Sequence, residues 1–117
     1  LKGMDRTERI AGEMRRALSD IIQNELKDPR IPLVTSITNI KLAKDLKYAK
    51  IYISVFAGDE EKKAAIEALK GSSGFIRRAL GQKMIIRSLP ELTFVLDESL
   101  EYGAYMNKKI DELNKKQ

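Results

Sequence analysis

Residues 70–90, KGSSGFIRRALGQKMIIRSLP, join two predicted helices at a pair of glycines. Gly71 and Gly74 frame Ser72 and Ser73, and apolar residues recur at helical spacing on both sides of them. Glycine permits either a loop that comes close to a ligand or a sharp bend between packed helices. Both interpretations stay open, although the sequence favours the bend, because two glycines at this spacing often arise by chance.

The elements on either side of this segment follow from apolar spacing and from turn-forming residues. From the N-terminus they are a helix that begins at Asp5 and ends before Pro29, strands over residues 33–42 and 48–56, a helix from Asp59, the helix after the glycines, a strand over residues 91–96 and a last helix over residues 97–113. This order, α-β-β-α-kink-α-β plus a C-terminal helix, is that of the second topological class of KH domain. We therefore predict an α+β, KH-like (type II) fold, with a three-stranded sheet and helices on one face.

A chain of 117 residues is long enough to close one hydrophobic core. We predict a single domain over residues 5–113. Residues 1–4 are interpreted as a flexible start, of which Leu1-Lys2-Gly3 is a remnant of cloning, and residues 114–117 as a flexible polar tail. No apolar run approaches the length of a membrane span, so no membrane association is predicted.

The second predicted strand alternates cleanly, with apolar residues at odd positions from 49 to 55, which is typical of a strand with one covered face. The first strand is less regular, since Ile37 has the opposite parity to Ile40 and Leu42, and a β-bulge would reconcile them. Tyr48, Tyr52 and Phe56 share the other face of the second strand. They can stack on bases, but we favour a structural role in covering the sheet.

The chain contains neither cysteine nor histidine. This excludes disulfides, thiolate nucleophiles, the common zinc ligand sets and histidine-based acid–base catalysis. The acidic pairs Glu60-Glu61 and Asp97-Glu98 stand at predicted helix starts, where capping and the helix dipole account for them. The sequence predicts no catalytic residue, no cofactor and no metal site, and a cytoplasmic location.

Charge points to a polyanionic partner. The chain carries 22 basic and 17 acidic residues, and residues 70–90 hold five basic residues without an acid. Lysine and arginine release condensed counterions when they neutralise phosphates, which drives nucleic-acid binding. The predicted RNA-binding residues of this segment are Lys70, Arg77, Arg78, Lys83 and Arg87. The alternative is the solvated face of an amphipathic helix, but such a face usually mixes both signs.

A second basic group surrounds the turn between the first two strands. It contains Lys44, Lys47 and Lys50, which are predicted as further RNA contacts, together with Lys41. Protection of a strand edge against pairing explains these lysines equally well. Arginines of the first helix are weaker candidates, because acids are interspersed among them: Arg6, Arg9, Arg15 and Arg16.

Several blocks, in this order, resemble the bacterial ribosome-binding factor A family. They are Arg9-Ile10 with the helix to Leu26, Lys27-Asp28-Pro29-Arg30-Ile31, Asp45-Leu46-Lys47-Tyr48-Ala49-Lys50-Ile51-Tyr52, Ser73-Gly74-Phe75-Ile76-Arg77 with Leu80-Gly81, Pro90-Glu91-Leu92-Thr93-Phe94, and Asp97-Glu98-Ser99 with Gly103 and Met106. In that family an Ala-x-Gly interhelical kink replaces the KH loop. The resemblance places this kink at Ser72, Ser73 and Gly74, where serine at the alanine position is expected to keep the bend and to cap the following helix.

The resemblance implies a non-catalytic, monomeric assembly factor that binds the small (30S) ribosomal subunit or its precursor through rRNA. It further implies support of late maturation and of 5′-end processing of 16S rRNA, importance in the cold, and association with a GTPase assembly factor. Two alternatives remain from the residues themselves. One is a generic KH-type single-stranded RNA-binding protein, and the other is a protein-interaction module with a basic docking face.

Overall fold

The computed structural model describes residues 5–32 and 34–99. Its elements are α1 (Arg6–Asp20), which continues as one π-helical turn (Ile21–Glu25), β1 (Thr35–Leu42), β2 (Tyr48–Val55), α2 (Asp59–Gly71), α3 (Ser73–Lys83) and β3 (Glu91–Leu96). The side chain of Asp5 caps α1 by accepting a 2.8 Å hydrogen bond from the amide of Glu8. The predicted C-terminal helix lies outside the described residues except for its first positions, 97–99, and so do the predicted start and tail.

The three strands form one sheet in the order β1-β2-β3. β1 and β2 are antiparallel, whereas β2 and β3 are parallel, so the chain crosses from β2 to β3 through the α2–α3 pair. The predicted bulge is confirmed, because Ile37 is opposite Ile53 while Asn39 is opposite Tyr52, which leaves Thr38 as the extra residue. The α+β prediction is therefore confirmed in sheet size and, for the described residues, in the order of the elements from α1 to β3.

The helices cover one face of the sheet. Odd-numbered residues of β2 point into the core, and Ile51 and Ile53 are fully buried, while Tyr48 and Lys50 on the opposite face are exposed. The helices bury Leu18, Leu69, Ile76 and Leu80 against that covered face. Burying this apolar area is the main stabilising contribution of the fold.

The break between α2 and α3 consists of one residue. Ser72 has φ −97° and ψ 7°, and neither Gly71 nor Gly74 has a positive φ. The amide of Ser72 still donates to the carbonyl of Ala68 at 3.0 Å, and the hydroxyl of Ser73 donates to the carbonyl of Lys70 at 2.8 Å. The helices are thus bent rather than separated by a loop, as the favoured interpretation predicted.

The expectation that Ser72 caps α3 is wrong, since its side chain makes no capping hydrogen bond. The backbone of Ser72 begins the helix instead, because its carbonyl accepts a hydrogen bond from the amide of Ile76 at 2.9 Å. A helix that begins within one residue of the previous one leaves little room for a side-chain cap.

Candidate nucleic-acid interface

A cleft of about 560 Å³ lies between the first half of α1, the β1–β2 turn (residues 43–47) and the segment after α3 (residues 84–90). We call it the basic cleft, because four cations line it: Arg6, Arg9, Lys47 and Arg87. Its two acids are Glu13 and Asp45, so its lining has a net charge of +2. Within the described part of the chain, no hydrogen bond or ion pair engages the four cationic side chains, which leaves them available to an anion.

The turn that supplies Lys47 is held by its own backbone. The amide of Leu46 donates to the carbonyl of Ala43 at 2.9 Å, and the carboxylate of Asp45 accepts from the amide of Lys47 at 3.0 Å. Leu46 has φ 62°, in the left-handed region, which costs a residue with a side chain roughly 1–2 kcal/mol. The carbonyl of Lys47 accepts from the amide of Glu91 at 2.8 Å, which ties this turn to the start of β3.

The segment that supplies Arg87 is anchored at both ends. Met84 is buried and its amide closes α3 on the carbonyl of Leu80 at 3.0 Å, and Pro90 is fully buried before β3. Between these anchors the chain runs along α1 to reach the cleft, with Ile85 fully exposed and Ile86 partly buried. Arg87 is therefore placed by two hydrophobic anchors rather than by helical spacing.

The structure brings together two of the predicted residues, Lys47 and Arg87, and adds two that sequence reasoning had ranked lower, Arg6 and Arg9. Their spacing was an available signal, because residues three apart on a helix share one side. Arg15, from the same group of weaker candidates, has a structural role instead. Its Nη2 donates to the carbonyl of Ile37, beside the bulge, at 2.9 Å.

Lys83 forms ion pairs with two neighbouring acids. Its Nζ lies 2.6 Å from Asp20 and 3.2 Å from Glu25, both at the far end of α1 from the basic cleft. The hydrogen bond from Lys83 lowers the pKa of Asp20, and the same bond raises the pKa of Lys83. The structure thus offsets the charge that the sequence assigned to RNA, because Asp20 of α1 and Glu25 of the π-helical turn both pair with Lys83.

Replacing Lys83 by glutamine is expected to raise the pKa of Asp20 towards its ordinary value, since the main cause of its lowering is removed. Asp28 is the internal control, because its lowered pKa arises from Arg30 and should not change. An NMR titration of the carboxyl carbons measures both. In the wild type, this pair contributes its full stabilisation between the ordinary pKa of Asp20 and the ordinary pKa of Lys83. The contribution is lost at low pH as the pH falls through the lowered pKa of Asp20, and at high pH as it rises through the raised pKa of Lys83.

Arg77 fastens α3 to the strand that follows. Its Nε donates to the carbonyl of Pro90 at 3.1 Å and its Nη2 to the carbonyl of Leu89 at 2.8 Å. The predicted RNA contact at this position is thus already engaged within the fold. Its exposed neighbours Arg78 and Lys70 have no side-chain hydrogen bond or ion pair within residues 5–32 and 34–99.

Replacing Arg77 by alanine is expected to lower the free energy of unfolding by about 1–2 kcal/mol, because the carbonyls of Leu89 and Pro90 lose a charged hydrogen-bond donor. The matched control is Arg78→Ala, which removes an equal side chain without such bonds and should change stability by less than about 0.5 kcal/mol. Urea denaturation of both variants measures the difference. Equal midpoints for the two variants would contradict the structural role of Arg77.

The lysines of the strands lie on the open face of the sheet. Lys41 and Lys50 are opposite each other on β1 and β2, and their ammonium groups lie 5.6 Å and 5.9 Å from the centre of the Tyr52 ring. These are cation–π distances, and they give Tyr52 the structural role that the sequence favoured. Edge protection does not explain Lys50, since β2 is the central strand.

Asp97, which follows β3, accepts hydrogen bonds from within the fold. Asp97 accepts from the hydroxyl of Thr38 at 2.6 Å and from the amide of Ser99 at 2.9 Å, and the Thr38 bond is the main cause that lowers its pKa. Among the described residues, no group of three or more carboxylates could hold a metal ion. Within residues 5–32 and 34–99, none of the helices qualifies as a membrane span.

The sequence profile of the family described as ribosome-binding factor A matches residues 6–110. The chain belongs to this family. The ribosome-binding factor A of Acetivibrio thermocellus is 52% identical over 109 residues, covering 93% of this chain and 89% of the relative. That of Clostridium beijerinckii is 49% identical over 108 residues, covering 92% of each chain. The resemblance inferred from the sequence blocks is therefore confirmed.

Structures of ribosome-binding factor A from Thermus thermophilus share the fold. The crystal structure of this factor is 28% identical, has a TM-score of 0.69, and covers 77% of this chain and 93% of that one. A homology model of the T. thermophilus factor, fitted into a cryo-electron microscopy map of a 30S complex, has a TM-score of 0.65 at 28% identity, with the same 77% and 93% coverage. The KH-like prediction agrees with these neighbours.

Proposed function

We propose that this protein binds the small ribosomal subunit or its precursor through rRNA, and that the basic cleft is the centre of the contact. The observation that carries this proposal is the convergence of Arg6, Arg9, Lys47 and Arg87, from three separate parts of the chain, on one concave surface. The relative from T. thermophilus that is fitted into a 30S complex supports the choice of partner. Lys44, in the same turn as Lys47, is exposed, and so are Lys70 and Arg78, which we propose as further RNA contacts.

The proposed action is non-catalytic. Cations on a rigid surface hold rRNA phosphates at fixed positions, and the binding energy favours the rRNA conformation that fits them. Following the family, we further propose a cytoplasmic, monomeric factor that supports late maturation and 5′-end processing of 16S rRNA and matters most in the cold. We also propose that a GTPase assembly factor acts on its complex with the subunit.

Co-sedimentation of the purified protein with free small subunits, compared with joined ribosomes, tests this proposal. We expect binding to small subunits with a log–log salt slope of about −3.5 to −4.5, which corresponds to about five phosphate contacts. Affinity that barely changes between low and moderate salt would contradict an electrostatic contact with rRNA. Equal binding to joined ribosomes would contradict a role restricted to the free subunit.

The kink argues against a generic KH-type single-stranded RNA binder as the alternative. Gly71 and Gly74 belong to α2 and α3, so the backbone between them is helical except at Ser72. A G-x-x-G loop that clamps phosphates needs a projecting backbone, and these residues lack one. The protein-interaction alternative predicts binding to assembled subunits but not to protein-free rRNA, so a comparison of the two substrates distinguishes it.

A further inference from the structure

The basic cleft has apolar walls as well as cations. Leu46 from the β1–β2 turn, Ile10 from α1, and Ile85 and Ile86 after α3 all line it. Ile85 is as exposed as an isolated residue, at 106% of its reference area. Phosphate binding alone requires only hydrogen-bond donors and cations on a surface. An apolar concavity beside such cations fits a ligand that also has a flat, uncharged part.

The size of the cleft restricts that ligand. Its volume of about 560 Å³ falls within the roughly 300–1,000 Å³ of small-molecule and cofactor sites. Proteins recognise double-stranded RNA mostly by its shape, through 2′-hydroxyl and phosphate contacts across the minor groove, whereas single-stranded bases are splayed out and recognised individually. One nucleotide, rather than a duplex, matches a cavity of this size.

The backbone at the wall is held in an unusual conformation. Leu46 adopts φ 62° although glycine or asparagine would adopt it more easily, and its side chain lines the cleft. Such conformations persist where the surroundings enforce them and are concentrated at ligand sites. Here the turn is enforced by the bonds from Leu46 to Ala43 and from Lys47 to Asp45.

We propose that the basic cleft takes one unstacked nucleotide of single-stranded RNA. Its base lies against Leu46 and Ile85, and the two backbone phosphates that flank it lie against Arg9 and Arg87. This inference rests on the proposed function, because the nucleotide would belong to the bound rRNA. Charge decides the class of ligand, since the four cations exceed the two acids, and the carboxylate of Asp45 already accepts a hydrogen bond from its own turn.

A titration followed by ¹⁵N NMR tests the inference without ribosomes. The probes are adenosine and uridine 5′-monophosphates, compared with ribose 5-phosphate, which has the same charge without a base. We expect the nucleotides to shift the amide signals of residues 45–47 and 85–87 at least about fivefold more at equal concentration. Equal shifts with ribose 5-phosphate, or shifts elsewhere only, would overturn the inference.

Two variants extend the test to the subunit. Ile85→Ser removes an exposed apolar wall, and Leu46→Gly removes the side chain while keeping a backbone that tolerates φ 62°. Each is expected to weaken binding to small subunits at least about fivefold with an unchanged salt slope. The matched control is Val34→Ser, which replaces a similarly apolar residue, 63% exposed, outside the cleft.

The two proposals fail in different ways. If wild type binds small subunits with the expected salt slope but Ile85→Ser and Leu46→Gly bind equally well, the nucleotide site is wrong and the proposed function stands. If wild type does not bind small subunits at all, the proposed function is wrong. Loss of binding by Val34→Ser as well would overturn the assignment of the base to the cleft.

Discussion

Replacing Arg9 and Arg87 together by glutamate is expected to weaken binding to small ribosomal subunits roughly 100-fold. The two arginines come from different elements and line the same cleft, so the double change removes two proposed phosphate contacts and adds repulsion. Two charge-assisted contacts at about 1.5 kcal/mol each amount to about 3 kcal/mol, which is a factor of roughly 100. Co-sedimentation at fixed salt measures the affinity, and the salt slope should become shallower by about 2.

The matched control reverses Lys27 and Lys63 to glutamate. Both lysines are exposed and lie outside the cleft, and the change in net charge is the same. If only the net charge of the protein attracts rRNA, both double variants lose affinity equally, and that outcome would contradict a defined interface. The thermal midpoint of each variant should stay close to that of the wild type, since none of the four side chains is buried.

Replacing Ile76 by alanine is expected to lower the free energy of unfolding by about 2–5 kcal/mol, the largest effect on stability among these predictions. Ile76 is fully buried in the first turns of α3, directly after the kink, within the core that α3 shares with the sheet. Removing its outer carbons loses their transfer energy and leaves a cavity that the bent helix pair cannot easily close. Urea denaturation followed by circular dichroism measures the loss.

The adjacent residue gives a sensitive control. Phe75→Ala removes a larger side chain, but that side chain is 42% exposed, so the expected loss is about 1 kcal/mol. The difference between the two stability losses depends on the kink. A bend at a different residue would rotate α3, so that Phe75 would face the core and Ile76 the solvent. A loss at Phe75 as large as that at Ile76 would show that the kink orients α3 differently.

Local physics accounts for the parts of the fold that could be predicted. Alternation in β2 predicted its covered face, and the parity of Ile37 predicted the bulge, because side chains alternate strictly along a strand. The bend at residues 71–74 was predicted from two small residues between apolar stripes. The sequence did not predict which residue interrupts the helix, since any of residues 71–74 could adopt the backbone angles that Ser72 adopts.

The site was harder to predict than the fold, for reasons visible at individual residues. Lys83 and Arg87 belong to the same basic segment, yet one is paired with Asp20 and Glu25 while the other lines the cleft. Charge along the sequence does not indicate which element will pack opposite. Arg77 shows the same difficulty, because the carbonyls of Leu89 and Pro90 reach it only after β3 has docked.

The order of the elements up to β3, the covered face of the sheet, the bulge, the bend and the family all follow from the sequence, since each depends on local spacing or on motifs in order. Which cations are available to an anion depends instead on how the elements pack in space. Coulomb interactions depend on distance in space, and residues far apart in the chain, such as Arg9 and Arg87, share one cleft only once α1 and the segment after α3 are packed together.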